Sequence, residues 1–260
     1  MFKSTDDYKD RMAEFVGMLS CKLKNTGSIC WQVGSHVRNG RLLPLDYLFF
    51  EMFLDKGFLL RNRIIWRFNF GFNAKHRFSG RYETLLWFTK TDDYTFNLDP
   101  VRVPQIYPGK TKKTAAGHQP SGNPKGKNPS DFWEFEAQEA FLGQPVWDFP
   151  NVKAKHPEKT DHPCQFPNEV ADRCILAFTS IGDTILDPFA GVGTAISCAE
   201  ARGRVGIGFE LDNSYAEEAK ERLALARASQ LVVRPSGKPP RRPKPTEKVA
   251  RVPSEWLSTG

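Results

Sequence analysis

Apolar residues recur along the first ninety positions with two different periods. In YKDRMAEFVGMLSCKL (8–23), Met12, Phe15, Val16, Leu19 and Leu23 fall on one side of a 3.6-residue repeat, which predicts a helix. GSICWQVG (27–34) is short, apolar and bracketed by glycines, as a buried strand would be. PLDYLFFEMFLDKG (44–57) opens on Pro and closes on Gly, the punctuation of a helix. RNRIIWRF (61–68) and YETLLWFTK (82–90) are rich in β-branched and aromatic residues and read as strands. Further on, Pro167 and Asn168 open an amphipathic helix with Val170, Cys174, Ile175 and Phe178 on one face. A strand at 184–188, a helix at 194–201, a strand at 204–209 and a helix at 213–227 follow. Strands alternating with helices predict an α/β fold, a mostly parallel twisted sheet with helices on both faces.

Two stretches break this texture. The segment 100–130, PVRVPQIYPGKTKKTAAGHQPSGNPKGKNPS, contains no acid, six Lys or Arg and many Pro and Gly, so it has no core of its own. SDFWEF and PVWDFP follow it as aromatic anchors that pin the loop back onto the body. Beyond Gln230 the chain is rich in Pro and Lys/Arg, the composition of a disordered tail.

Composition adds a partner class and removes others. A net charge of +7 favours a polyanionic partner. No apolar run approaches the roughly 20 residues of a membrane span, and the acidic start MFKSTDDYKDR lacks the apolar stretch of a signal peptide, so a cytoplasmic location is expected. Cys21, Cys30, Cys164, Cys174 and Cys198 form no C-x-x-C pair, and buried reduced thiols are the expectation. His156, His162 and Cys164 lack ligand spacing, so no metal site is assigned.

The chemistry concentrates in ILDPFAGVGTAISCAEARGRVGIGFELD (185–212). After the strand come Asp187, Gly191 and Gly193, then a helix, and glycines there let the backbone approach a ligand and turn sharply. Glu210 ends the next strand, where an acid can accept two hydrogen bonds from ribose hydroxyls. A bare G-x-G would read only as a tight bend; the flanking acids point to a nucleoside. The sixth position of a dinucleotide fingerprint is Ile196 rather than Gly, and no G-K-[ST] follows. A nucleoside without a pyrophosphate, such as S-adenosylmethionine, fits.

DPFAGVGT (187–194) resembles motif I of the DNA amino-methyltransferases, which methylate adenine N6 or cytosine N4. HPCQFP (162–167) resembles the HPTQKP-like motif that precedes it in the β-ordered group, and RFSGRYETLLWFTK, GKNPSDFWEF and VWDFP are similar to that group's other blocks. The resemblance covers residues 8–227 and implies a Rossmann-like methyltransferase fold, S-adenosyl-L-methionine as cofactor, DNA as substrate and a restriction-modification setting. The β order then divides the chain into a catalytic-side half (1–99), a recognition insert (100–154), a cofactor-binding half (155–229) and the basic tail (230–260). It assigns Asp187, Pro188, Phe189, Ala190, Gly191, Gly193 and Thr194 to the methionine end of the cofactor and Glu210 to its ribose, with His162, Cys164, Gln165 and Phe166 closing the pocket. Cys164 stands where Thr is usual and Phe166 where Lys is usual. An RNA amino-methyltransferase is the rival within this chemistry.

The family's base-holding motif, [DSN]-P-P-[YFW], is missing. The one Pro-Pro, Pro239–Pro240, lies in the tail and precedes Arg241, so no catalytic residue is assigned. The resemblance places the strand carrying that motif between 184–188 and 27–34. Its loss is expected to open the centre of the sheet and leave two apolar edges unpaired. A fragment lacking its N-terminal segment is the first explanation; a split enzyme completed by a partner chain, an inactive remnant and a homodimer stay open. For DNA, Lys110, Lys112, Lys113, Lys125 and Lys127 are expected to contact phosphates. Arg77 and Arg81, interleaved with Phe70, Phe72 and Phe78, suit a surface near an extruded base unless the rings are core.

Overall fold

The computed structural model describes residues 4–68, 73–105, 111–133, 152, 157–160, 162 and 164–233. The chain begins with α1 (Thr5–Lys22), β1 (Ser28–Val33) and a small hairpin of β2 (Ser35–Arg38) and β3 (Arg41–Pro44). Next come α2 (Leu45–Asp55), β4 (Leu59–Arg67), β5 (Tyr82–Thr89), a second hairpin of β6 (Thr111–Thr114) and β7 (Gly117–Pro120), and the two-residue β8 (Phe132–Trp133). The last part runs α3 (Asn168–Phe178), β9 (Thr184–Asp187), α4 (Thr194–Ala201), β10 (Val205–Gly208) and α5 (Asn213–Arg227). The tail from residue 234 onward, the VWDFP anchor, Phe70, Phe72 and Lys110 lie outside the described residues.

The larger sheet has the order β1–β5–β4–β8. β5 runs antiparallel to both β1 and β4, and β8 joins β4 in parallel. β1, β4 and β8 therefore share one direction and β5 alone runs against them, so the expected mostly parallel arrangement stands with one antiparallel strand. Among the described residues of the link from β4 to β5 there is no helix; a parallel return needs a crossover, whereas a direct return gives an antiparallel pair. β9 and β10 form a separate two-stranded parallel sheet.

Alternation along β5 divides the core into layers. Leu86 and Phe88 face α1 and α2, packing with Val16, Phe49, Phe53 and Phe58. Leu85 faces the other way onto Ile64, Trp66, Trp133 and Val170, and Trp87 onto Ala177 and Phe178 of α3. Helices thus cover both faces of this sheet. Ring contacts knit the first layer, with Phe53 stacked on Phe88 at 4.5 Å. Each fully buried aromatic stabilises the fold by about 1.5–3 kcal/mol.

The smaller sheet is covered on one side. Ile185 packs on the cluster of Ala171, Ile175, Cys198 and Ala199 from α3 and α4. The opposite face holds Leu186, Val205 and Ile207, which are 41%, 49% and 44% exposed. α5 lies against α4. Among the described residues no strand pairs with the outer edge of β1 or joins β9 to the larger sheet.

The insert returns to the body through Trp133, buried at the far edge of the larger sheet, with the Arg173 guanidinium 4.7 Å from its ring centre. The first of the two aromatic anchors is thereby in place. All five cysteines are free thiols, but only Cys198 is buried. Cys21, Cys30 and Cys164 are exposed, because they sit on a helix flank, an open strand edge and a loop. Among the described residues no helix is long and apolar enough to cross a membrane.

Candidate cofactor and nucleic-acid site

The glycine turn is fixed by its own backbone. Phe209 donates its N–H to the Asp187 carbonyl at 3.0 Å and Ala190 donates to the Phe209 carbonyl at 2.9 Å, which carries the β9–β10 ladder into the turn. Gly193 donates to the Ala190 carbonyl at 2.7 Å and leads into α4. Gly191 and Gly193 have φ of +51° and +73°, a region that side chains disfavour. A Cβ on Gly193 would also lie 2.9 Å from Cβ of Ala219, so this glycine lets α5 close onto the turn.

Both predicted acids meet here. Glu210 accepts from Gly191 N–H at 2.8 Å through Oε2. Its Oε1 accepts from the N–H groups of Leu211 and Asp212 at 2.8 and 2.9 Å. Oδ1 of Asp187 accepts from Phe189 N–H at 3.1 Å. Burial pushes the Asp187 carboxyl above its usual range, and the nearby negative charge of Glu210 adds to the shift. Two carboxylates thus share one turn. Phe189, Phe209 and Leu211 are 58%, 63% and 100% exposed around it, an apolar rim beside the acids. Asp212 caps α5, accepting from Ser214 N–H at 2.8 Å.

The HPCQFP segment divides its side chains between the turn and the scaffold. His162 leans over the turn: its Nε2 lies 3.2 Å from where a Cβ on Gly191 would be, and its ring meets Tyr215 edge-on at 4.6 Å. Nδ1 accepts from Cys164 N–H at 3.2 Å, which leaves Nε2 to carry the proton of the neutral ring. Cys164 thus contributes backbone while its thiol is exposed. Gln165 turns inward. Its Oε1 accepts from the N–H and hydroxyl of Thr160 at 3.1 and 2.9 Å, and its amide donates to the Glu158 carbonyl at 2.7 Å. Phe166 packs between two core clusters. Gln165 and Phe166 therefore hold the segment in place, and His162 reaches the turn.

One residue of this assembly went unread in the sequence. Arg222 on α5 is buried and donates to the Val192 carbonyl at 2.8 Å, the Thr194 hydroxyl at 3.1 Å and Oδ1 of Asn168 at 3.0 Å. It ties the turn to the first residue of α3. The available signal was its place between Ala219 and Ala226 on the helix's buried face.

The basic residues occupy other elements. Lys112 and Lys113 lie exposed on β6, and Lys127 is exposed where it bridges to Val103. Lys125 differs: it forms an ion pair with Asp99, which also accepts from Arg102 Nε at 2.7 Å. These cations hold the Asp99 carboxyl below its ordinary range. Lys125 thus anchors the base of the insert. Arg77 is exposed and donates to the Phe78 carbonyl at 3.2 Å, while Arg81 donates to Oδ1 of Asn73 at 2.7 Å. Phe78 is 99% exposed, which excludes the core reading for this ring.

Comparison with known proteins identifies the family. The profile of the N6/N4 family, described as DNA methylase, matches residues 1–221. A type II methyltransferase from Bacillus subtilis, M.BglII, is 40% identical over 221 residues, covering 84% of this chain and 58% of the relative. The chain spans 50 to 58% of the length of the first three curated relatives that it matches. Among solved structures, the cytosine-N4-specific PvuII DNA methyltransferase superposes with a TM-score of 0.61 at 19% identity, covering 84% of this chain and 71% of that one. The complex of M1.HpyAVI with its S-adenosylmethionine ligand gives 0.51 at 20% identity, covering 82% of each chain. The fold is that of these methyltransferases, and the chain belongs to the DNA methylase family.

Proposed function

We propose that this chain carries the cofactor pocket and the DNA-contacting insert of an S-adenosylmethionine-dependent DNA amino-methyltransferase, acting in the cytoplasm at a particular site on DNA. The methyl acceptor is the exocyclic nitrogen of adenine (N6) or cytosine (N4). The observation that carries the reading is the paired carboxylates of Asp187 and Glu210 at a glycine turn with an apolar rim. That donor set fits a cationic nucleoside: acids for ribose hydroxyls and positive charge, and Phe209 and Leu211 for the face of an adenine ring. When bound, the cofactor supplies an activated methyl on a sulfonium.

In this reading Glu210 uses its remaining lone pairs on the ribose. Asp187 faces the cationic methionine end with Pro188, Phe189, Ala190, Gly191, Gly193 and Thr194. His162 covers Gly191 and limits access of water. Lys112, Lys113 and Lys127 neutralise phosphates, and Arg77, Arg81 and exposed Phe78 lie toward the target base. The groups that orient the target amine come from polypeptide outside the 260 residues; in support, no [DSN]-P-P-[YFW] occurs in them.

Titration calorimetry with S-adenosylmethionine tests the pocket. Asp187→Asn and Glu210→Gln are each expected to weaken binding about tenfold or more, the loss of a charge-assisted contact. Unchanged affinity in both variants overturns the assignment. Competition between DNA and RNA for the chain separates the DNA reading from its RNA rival.

A further inference from the structure

The β2–β3 hairpin belongs to none of the sites described above. Its own turn defines it: Asn39 and Gly40 have φ of +51° and +74°, the two positive values that this kind of two-residue turn requires. The register pairs Arg38 with Arg41 across that turn, and below it Val37 with Leu42 and His36 with Leu43. Directly opposed residues carry their side chains on one face, with Cβ atoms roughly 5 Å apart. Two guanidinium groups are therefore held side by side at the tip, and alternation puts His36 on the same face.

That pairing works against the hairpin's own stability, because like charges directly opposite each other are destabilising. Nothing nearby offsets them. The sequence has no acid between Glu14 and Asp46. Asp46 is engaged by Arg63, whose Nε donates to it at 2.8 Å, and Glu83 accepts from the Gln32 amide at 2.6 Å. Among the described residues neither Arg38 nor Arg41 has an ion pair or a side-chain hydrogen bond. Every residue of the two strands is exposed except Leu43. A phosphate between the two forks reverses the sign of the interaction, since each guanidinium donates charge-assisted hydrogen bonds to it.

The place of the hairpin in the fold selects which phosphate. β1 and β4 both run antiparallel to β5, so their C-terminal ends share one rim of the sheet, where Val33 pairs with Thr84 and Arg67 with Tyr82. The hairpin springs from that rim one residue past Val33. The loop that holds Arg77, Phe78 and Arg81 joins β4 to β5 at the same rim, where Phe68 donates its N–H to the Arg81 carbonyl at 2.9 Å. Phe189 of the glycine turn comes close as well, 6.0 Å from the Trp31 ring near the end of β1.

We propose that Arg38 and Arg41 clamp one backbone phosphate of DNA lying against this rim, with His36 beside them as a further donor. The inference rests on the reading of DNA as the substrate and adds a contact separate from the insert and from Arg77 and Arg81. Phosphate contacts fix the register and orientation of a duplex without reading its sequence, so the clamp serves positioning.

The test measures binding of the 260-residue chain to a short fluorescent DNA duplex across a salt series. The double variant Arg38→Gln, Arg41→Gln is expected to bind about tenfold more weakly at about 0.1 M salt. The slope of log affinity against log salt is expected to flatten by about 0.9, the share of one phosphate. Its Tm is expected to equal or exceed that of the unaltered chain, because a repulsive pair is gone. Arg38→Glu is expected to raise Tm, through an ion pair with Arg41 across the turn, and to weaken DNA binding at least as much. Unchanged affinity and slope overturn the proposal. So does a lower Tm in the double variant, which marks the arginines as structural. Single-stranded RNA and polyglutamate of matched charge serve as competitors. Either one displacing DNA at equal concentration, with that ability lost in the double variant, assigns the tip to another polyanion and overturns the clamp. No binding of the unaltered chain to DNA sinks the substrate reading together with the clamp; binding that the variants leave intact sinks the clamp alone.

Discussion

β5 and β9 are both apolar strands in the same molecule, yet they live in different surroundings. From Thr84 to Thr89 every residue of β5 is buried, with α1 and α2 on one face and α3 on the other. No residue of β9 is fully buried, although Ile185 and Leu186 are as apolar as anything in β5. Apolar sequence is enough to make a strand in both cases. Burial depends on neighbours, and β9 has one flanking strand and one covered face. The larger half buries its central strand on both faces, and the smaller half keeps one apolar face exposed.

The contrast breaks most sharply under core truncation. Phe53→Ala is expected to cost about 3–5 kcal/mol in urea unfolding, whereas Leu186→Ala costs less than about 1 kcal/mol. Equal costs would mean that the bare face is covered in solution. Next in size is Arg222→Met, which leaves the Val192 carbonyl, the Thr194 hydroxyl and the Asn168 amide oxygen short of a buried donor. A loss of about 1–3 kcal/mol is expected by the same measurement, with weaker cofactor binding.

A smaller, signed effect belongs to Asp187. Its folded carboxyl titrates above the unfolded one, so between the two the native state holds more protons. Stability is therefore expected to fall as pH rises from the ordinary carboxylate range through the raised value. Asp187→Asn removes that slope in Tm against pH, while an unchanged slope assigns it to another group. The smallest effect is on salt dependence. Lys112→Ala or Lys113→Ala is expected to flatten the slope of log affinity for DNA against log salt by about 0.9 each. Lys125→Ala is expected to change the slope less, because that lysine is engaged by Asp99.

The elements of both halves were legible because their periods are clean; α3, α4 and α5 begin at Asn168, Thr194 and Asn213, in line with the pattern of the sequence. The hairpin of β2 and β3 was overlooked despite its signal: Asn39–Gly40, both at positive φ, is a favoured hairpin turn. The antiparallel course of β5 was missed because a hydrophobic run carries no direction. Within the site, the meeting of Asp187, Gly191 and Glu210 was readable, since adjacent parallel strands bring their C-terminal ends together. The inward turn of Gln165 and the reach of Arg222 were not, because hydrogen bonds between distant segments leave no periodicity.

The insert leaves the body at the Asp99–Arg102–Lys125 staple and comes back at Trp133, which slots beside β4 and under Arg173. Its exposed hairpin can therefore change in length or lettering without disturbing either hinge point. A graft exchanging this arm between relatives should keep those two fastenings and swap only what lies between them, and losing Trp133 would uncover the flank of β4 along with the arm.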